Sequence, residues 1–421
     1  MKQNNYVMTG RCCGPFNERL HAALLIGILL IATGCTPAPL RNARNEFYGG
    51  RPDKASEILD KASEISHKDR LLFLMEKGLI LHHQGLYRES TSVFLEASRL
   101  IEQQEIINMG RQAGSMVTTE WLMEYKGEYS ERLWVHTYLM MNFLLLHNDE
   151  AALVEAKQSL QVFDQHPETL SDDFFTRGLI ALCYENLGLI NDAFIEYRKL
   201  AELMDNPGPS ARKLYQFGRE LGFHEEADLY KKYIPEEDLD RISETPGTEL
   251  VLFISRGRSP VKIPGNIILP PSIRFSFPRY EDTGRSFSDR VVIDTSAGSP
   301  ADPISTDVGK VLKASLKERA AMIIAKETAR VAAKEAISQE VGKSHDTTAE
   351  IVVRGIFFIM EEPDTRCWQT LPARLDMIRL TLKKGVQNVT VAIGSENRTI
   401  SLTDEEISSD RRIYRSIRVY N

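Results

Sequence analysis

The chain reads as mainly α: a helical repeat array followed by a smaller α+β C-terminal domain. Three observations predict this. From residue 45 to about 235, small and aromatic residues recur in one helix-turn-helix phase. Compact β-prone runs and a proline-dense stretch come only after residue 246. The charge balance also changes sign there. Residues 35–245 hold 23 Lys and Arg against 36 Asp and Glu, and residues 246–421 hold 26 against 22. The split predicts two separately organised parts, each with its own core. The boundaries are a leader at 1–34, the array at 35–235, a linker at 236–246 and the C-terminal domain at 247–421.

The clearest repeat runs from Leu72 to Leu100. Gly78 and Leu81 fall on its first helix, Gly85-Leu86-Tyr87 makes the turn, and Ser90, Phe94 and Ala97 fall on the second. A second unit has Ala181 and Tyr184, a turn at Gly188, then Ala193 and Tyr197. A shorter one turns at Gly222-Phe223 and continues to Ala227. Gly50, Ala55, Leu59 and Ala62 fit the second half of a repeat, and Ala152 and Ala156 follow a weaker turn at His147-Asn148-Asp149. Successive turns lie 35, 62, 41 and 34 residues apart, the gap of 62 holding a helical insertion from about Ile101 to Tyr129. This spacing resembles the tetratricopeptide repeat, whose period is about 34 residues and whose helices meet through small side chains. Gly78, Leu81, Gly85, Phe94, Ala97, Tyr184, Gly188, Ala193, Gly222 and Ala227 are therefore read as structural positions. An irregular helical bundle is the alternative.

The C-terminal domain opens with the β-prone run Glu249 to Ile254. Seven prolines between residues 258 and 303 forbid central strands and favour edges and loops, with short strands at Ile267–Leu269, Ile273–Phe277 and Val291–Ile293. A long Ala-rich helix follows, from about Thr306 to Val341; it serves either core packing or a seam for an oligomer or a partner. After the apolar run Ile351 to Met360, Met377–Leu382 and Val389–Ile393 read as a hairpin around Lys383-Lys384-Gly385.

The start of the chain carries a different message. Arg11 and Arg19 precede the apolar run Ala22–Ala32, which ends at Thr33-Gly34-Cys35. That is the layout of a secretory signal, too short to span a bilayer. The small-small-Cys ending resembles a bacterial lipoprotein signal, in which the Cys becomes the first mature residue and carries acyl chains. The resemblance implies lipidation at Cys35 and a cell-envelope location. Thr36, where an Asp would retain the protein, implies the outer membrane, facing the periplasm. An ordinary N-terminal anchor, or a cleaved signal with Cys35 incidental, remains open. Cys183 and Cys367 are then the cysteines left, one in each part.

No catalytic constellation stands out. The chain has no Lys-Ser or Lys-Thr phosphate loop, no His-Glu-x-x-His and no Gly-x-Ser-x-Gly. His82 and His83 are adjacent rather than on one helix face. The expectation is no enzyme, no metal and no cofactor. The acidic array also argues against nucleic acid as a partner. The most unusual string is Glu362 to Pro372, in which Asp364 and Arg366 can pair and Trp368 serves as an interface residue or as a packing anchor.

That string, with Leu71–Leu79, Ala152–Ala156 and Asn191–Tyr197, resembles a group of uncharacterised bacterial lipoproteins with tetratricopeptide-like repeats. Their genes often neighbour lipoproteins resembling the curli-secretion pore. The resemblance implies a scaffold in outer-membrane assembly or secretion, its partners other envelope proteins, including other lipoproteins. A self-associating structural component and a cell-wall enzyme are the alternatives. Stacked helix pairs create an extended concave surface suited to peptides or helices of another protein, and the binding surface itself is not named by the sequence.

Overall fold

The computed structural model describes residues 37–420 apart from 63–64, 111–122, 237–238, 240–247, 271–272, 284–290, 295, 301, 345–346, 361, 384, 395 and 409–411. The leader, Cys35 and most of the linker at 236–246 lie outside the described residues.

Antiparallel helix pairs lead the fold. They are α1 (Ala38–Tyr48) with α2 (Pro52–Asp60), α3 (Arg70–His83) with α4 (Tyr87–Gly110), and α5 (Tyr129–Leu145) with α6 (Asp149–Gln165). Then come α7 (Phe174–Asn186) with α8 (Ile190–Leu203), and α9 (Gly208–Glu220) with α10 (His224–Lys231). Each turn is made the same way. Gly50, Gly85, Gly188 and Gly222 have φ between 69° and 83°, and the amide of the next residue closes back onto the helix end. Leu86 N–H, for example, donates to Leu81 O at 3.0 Å, and Phe223 N–H to Gly218 O at 2.7 Å. This is the left-handed cap that glycine supplies without strain. His147, where glycine is usual, adopts the same conformation, with φ 55°, and Asn148 N–H donates to Phe143 O at 2.8 Å. The irregular bundle is thus excluded, and the array is tetratricopeptide-like.

Small residues set the spacing within pairs. A Cβ added at Gly78 would meet the Phe94 ring at 2.8 Å, and one at Gly218 would meet Ala227 Cβ at 2.9 Å. Ala97, Ala193 and Ala227 are fully buried beside their partner helices, and Leu81 and Tyr184 are nearly so. Phe94 is itself boxed in, stacked 5.7 Å from Tyr138. Gly78→Ala is therefore expected to cost about 1–3 kcal/mol through overpacking, measured as a lowered denaturation midpoint at unchanged slope.

The second half is built from strands. A five-stranded sheet has β1 (Glu249–Arg256) between β10 (Ile413–Val419), which is parallel to it, and β7 (Arg374–Leu382), which is antiparallel. The short strands β5 (Gly298–Pro300) and β6 (Ile304–Asp307) both pair with the far edge of β7. β4 (Val291–Ile293), β8 (Asn388–Ile393) and β9 (Glu396–Ser401) form a second sheet. β2 (Val261–Leu269) and β3 (Ile273–Glu281) form a separate two-stranded ribbon. Two prolines lie on it, Pro264 facing Pro278 where neither strand has a second neighbour, and Pro300 lies on the edge strand β5. α11 (Val308–Ser344) and α12 (Thr347–Met360) make a helical hairpin, and a short α13 (Asp404–Ser408) precedes β10.

Two expectations need correction. Met377–Leu382 and Val389–Ile393 are strands but not a hairpin. Both edges of β7 are already taken, by β1 and by β5 and β6, so β8 joins the second sheet. The two parts also do not each keep a separate core. Alternate residues of the central sheet face opposite ways. Val251, Phe253, Leu375, Met377 and Tyr414 point into one core with α1, α3, α5 and α7. Leu250, Leu252, Ile254, Ile378 and Leu380 point into another with β4, β8 and β9. The order is helices, sheet, sheet, and the largest core straddles the boundary.

Candidate functional site

A tetratricopeptide-like array offers its inner helices as the first candidate binding surface. Here α3, α5 and α7 are apolar nearly all round, as helices buried on every side are. What covers them is the chain's own C-terminal half.

The segment 362–372 lies across the first three pairs. Arg366 grips Asp364 through Nε and Nη2, each at 2.8 Å, and reaches Asp69 at 2.9 Å and the carbonyls of Lys68 and Met123. Trp368 is buried, its ring 5.8 Å from both Phe94 and Tyr138. Its indole N–H donates to Thr370 Oγ1 at 3.0 Å, and its backbone N–H to Glu131 Oε1 at 2.7 Å. Gln369 N–H donates to Glu76, which also pairs with Arg44 at 2.6 Å. Arg44 donates to Cys367 O, and the Tyr48 hydroxyl donates to Gln369 O. Backbone gripped by inward-facing polar side chains, with an aromatic anchor between, is how a groove holds a peptide. Here the peptide belongs to the same chain. Arg366 and Trp368 thus contact the array directly, and Asp364 holds the Arg366 guanidinium.

Two further junctions tie the sheet to the helices. Asp173 caps α7 by accepting from Thr176 N–H, and also accepts from Trp134 Nε1 at 2.8 Å and from the Thr306 hydroxyl at 2.9 Å. Thr306 in turn accepts from Phe175 N–H, so the cap and β6 share one network. Gly178 leaves room for Ile304 and Met377, whose methyls would stand 3.0–3.1 Å from an added Cβ. The second junction is ionic. Glu185 of α7 receives Arg379 of β7 at 2.7 Å and Lys213 of α9 at 2.8 Å, and also Arg412 just before β10. Glu249 receives Arg379 at 2.7 Å and Arg412 at 2.6 Å. Burial alone would raise both carboxyls, but Arg379, Arg412 and Lys213 outweigh it and hold them below the ordinary range. A third pair, Lys262 with Glu128, is joined by Arg319 at 2.9 Å.

None of these groups forms an acid–base pair open to a substrate. Among the described residues no cluster of His, Cys, Asp and Glu could hold a metal ion. Cys183 and Cys367 are free and buried, and burial pushes the Cys367 thiol up to about 11. No described helix is long and apolar enough to cross a membrane.

The surface that remains open is elsewhere. α11 packs on α12 and on β3, and its first turns, through Val308, Val311 and Leu312, join the large core. Beyond them, Met322, Ile324 and Ile337 are exposed, as are Ile351 of α12 and Ile267 and Ile268 of β2. Ala321, Ala325, Ala329, Ala332 and Ala336 are exposed along one face of α11. Arg354 locks the hairpin by pairing with Glu335 and Glu350.

No family model matches the chain, and no curated protein matches it. Solved structures resemble about half of the chain. MamA from AMB-1 is 16% identical, with a TM-score of 0.33, over 49% of this chain and 92% of MamA. YrrB, described as a TPR protein with an unusual peptide-binding site, is 13% identical, with a TM-score of 0.34, over 54% and 95%. A putative kinesin light chain with TPR-like repeats from Podospora anserina is 13% identical, with a TM-score of 0.35, over 50% and 100%.

Sequence reasoning placed the repeat glycines and the 364–368 string. It missed Glu185, Arg379, Glu249 and Arg412, which stand far apart in the chain. The available signal was a charge inside an apolar run: Arg379 within Met377–Leu382, and Glu185 closing an apolar helix.

Proposed function

We propose that the chain is a cell-envelope lipoprotein, anchored through Cys35 at the outer membrane and facing the periplasm, that serves as a protein-binding scaffold in envelope assembly or secretion. The anchoring rests on the apolar run and the Gly34-Cys35 ending. The binding reading rests on one observation: large apolar side chains (Met322, Ile324, Ile337, Ile351, Ile267 and Ile268) stand exposed on α11, on α12 packed against it, and on β2 of the ribbon that α11 touches. Exposed apolar surface gathered in one region marks interaction sites. The inner face of the array, the surface that such repeats offer to a peptide, is covered by residues 362–372 and by the central sheet. The partner surface therefore moves to the helical hairpin and its ribbon. Acyl chains at Cys35 would add about 0.8 kcal/mol of membrane affinity per buried methylene. The exposed alanine face of α11 favours a second reading, in which the partner is another copy of the chain.

The test is site-specific photocrosslinking in cells. A photoreactive residue at Ile324 or Ile351 is expected to capture one or two envelope proteins at fixed ratio, whereas one at Leu203, exposed on the array, captures none. Adducts only with itself favour the second reading. Absence of adducts at both hairpin positions contradicts the proposal. Cys35→Ser is expected to release the protein from the membrane fraction.

A further inference from the structure

The ribbon of β2 and β3 ends in apolar side chains on both of its faces. Ile267 and Ile268 are neighbours on one strand, so they point opposite ways. Both are exposed, by 53% and 63%. Pro270, just beyond them, is exposed too. A protein resting on one face of the ribbon covers one of the two isoleucines, whereas a medium that surrounds the ribbon's end covers both.

The charge of the ribbon narrows what that medium is. From Val261 to Tyr280 the sequence holds no Asp or Glu, and its charged residues are Lys262, Arg274 and Arg279, in a chain of net charge -7. Lys262 is engaged at the base, with Glu128. Arg274 stands opposite Ile268 and donates to Asn266 Oδ1 at 3.0 Å and to Phe358 O at 3.3 Å. Arg279 is exposed, with Glu281 at 3.8 Å. An apolar end flanked by cations complements the surface of a bilayer that contains anionic lipids.

The first helix points the same way. α1 begins at Ala38, and Leu40 is already fully buried. In the sequence only Thr36 and Pro37 stand between Cys35 and that helix. Acyl chains on Cys35 would therefore hold the body of the protein against the bilayer rather than on a long tether. Contacts link this point to the ribbon. α1 runs beside residues 367–369, Arg44 donating to Cys367 O and the Tyr48 hydroxyl to Gln369 O. Cys367 follows Phe358, the acceptor for Arg274, by nine residues, at most about 32 Å of chain.

We propose that the ribbon end inserts Ile267 and Ile268 into the headgroup boundary of the bilayer that holds the anchor, with the ribbon's arginines against anionic headgroups. The proposal rests on the anchoring reading and leaves α11 and α12 to the protein partner. Two points of contact fix how the body is turned on the membrane, and with it where the helical hairpin faces.

An environment-sensitive fluorophore on Ile268→Cys tests this, with Leu229→Cys of α10, a position exposed by 64%, as the control. Cys183 and Cys367 are buried and do not compete for the label. The chain carries a hexahistidine tag in place of residues 1–35 and is held on vesicles of phosphatidylethanolamine, phosphatidylglycerol and a nickel-chelating lipid, with nitroxide-labelled lipid as quencher. The tag tethers the chain at the same point whether or not Cys35 is acylated in cells. Emission from position 268 is expected to shift to the blue and to be quenched several-fold more than emission from 229. Ile267→Asp is expected to remove that difference without lowering the melting temperature. Equal quenching at both positions overturns the proposal, as does a label at 268 that an envelope-protein extract shields and lipid does not. Flotation of the natural chain with membranes, lost in Cys35→Ser, tests the anchor separately, so that failure of the anchor and failure of the ribbon are read apart.

Discussion

Trp368→Ala is expected to lower stability by about 3–5 kcal/mol, the range for removing a buried aromatic side chain from a core. The ring stands between Phe94 of α4 and Tyr138 of α5, and its backbone amide is held by Glu131. The loss should not stay local. Trp368 belongs to the core that contains Leu72 and Leu139 of the array as well as Phe253 and Met377 of the sheet. Chemical denaturation followed by helix content and by the proteolytic susceptibility of the strand half should therefore shift together in the variant. A shift confined to one probe would mean that the tryptophan anchors only its own loop.

Glu185→Gln carries the second large effect. The substitution keeps the shape but leaves Arg379, Arg412 and Lys213 short of a counter-charge in a buried place. Breaking such a cluster from one side costs about 3–5 kcal/mol. The same cluster fixes a pH dependence. Glu185 and Glu249 are held below the ordinary carboxylate range. Their contribution is fully present above the unfolded-state value of about 4.3 and is lost as pH falls from there through the folded-state values. Unfolding free energies at a series of pH values should show the gap between the natural chain and Glu185→Gln closing as pH falls below about 4. A gap that stays constant down to pH 2 would show that the carboxylates are not the source.

The parts of this fold legible in the sequence are those set by neighbours along the chain. A left-handed cap needs one glycine, or a residue that tolerates its place as His147 does. Helix pairing needs a small residue facing an aromatic one four turns away, as Gly78 faces Phe94. Such signals sit within one repeat. The covering of the inner helices is set by contacts between residues 100 to 300 positions apart, such as Arg366 with Asp69 and Arg379 with Glu185. A local trace of it exists: Leu71–Leu81 is apolar round the whole helix, more than pairing with α4 requires. The misread hairpin has the same origin. Val389–Ile393 follows Met377–Leu382 after a glycine turn, and only the strands arriving from residues 249–256 and 298–307 deny it that edge.

The central claim is that the C-terminal half closes the inner face of the array, so that helices and central sheet are one cooperative unit. Native-state hydrogen exchange on the full chain tests it directly, by comparing amides of α3, α5 and α7 with those of β1 and β7. The account predicts that the slowest amides of both groups exchange through one global opening, with equal free energies and equal denaturant slopes. Two distinct opening energies, with the array exchanging while the sheet remains protected, would contradict it.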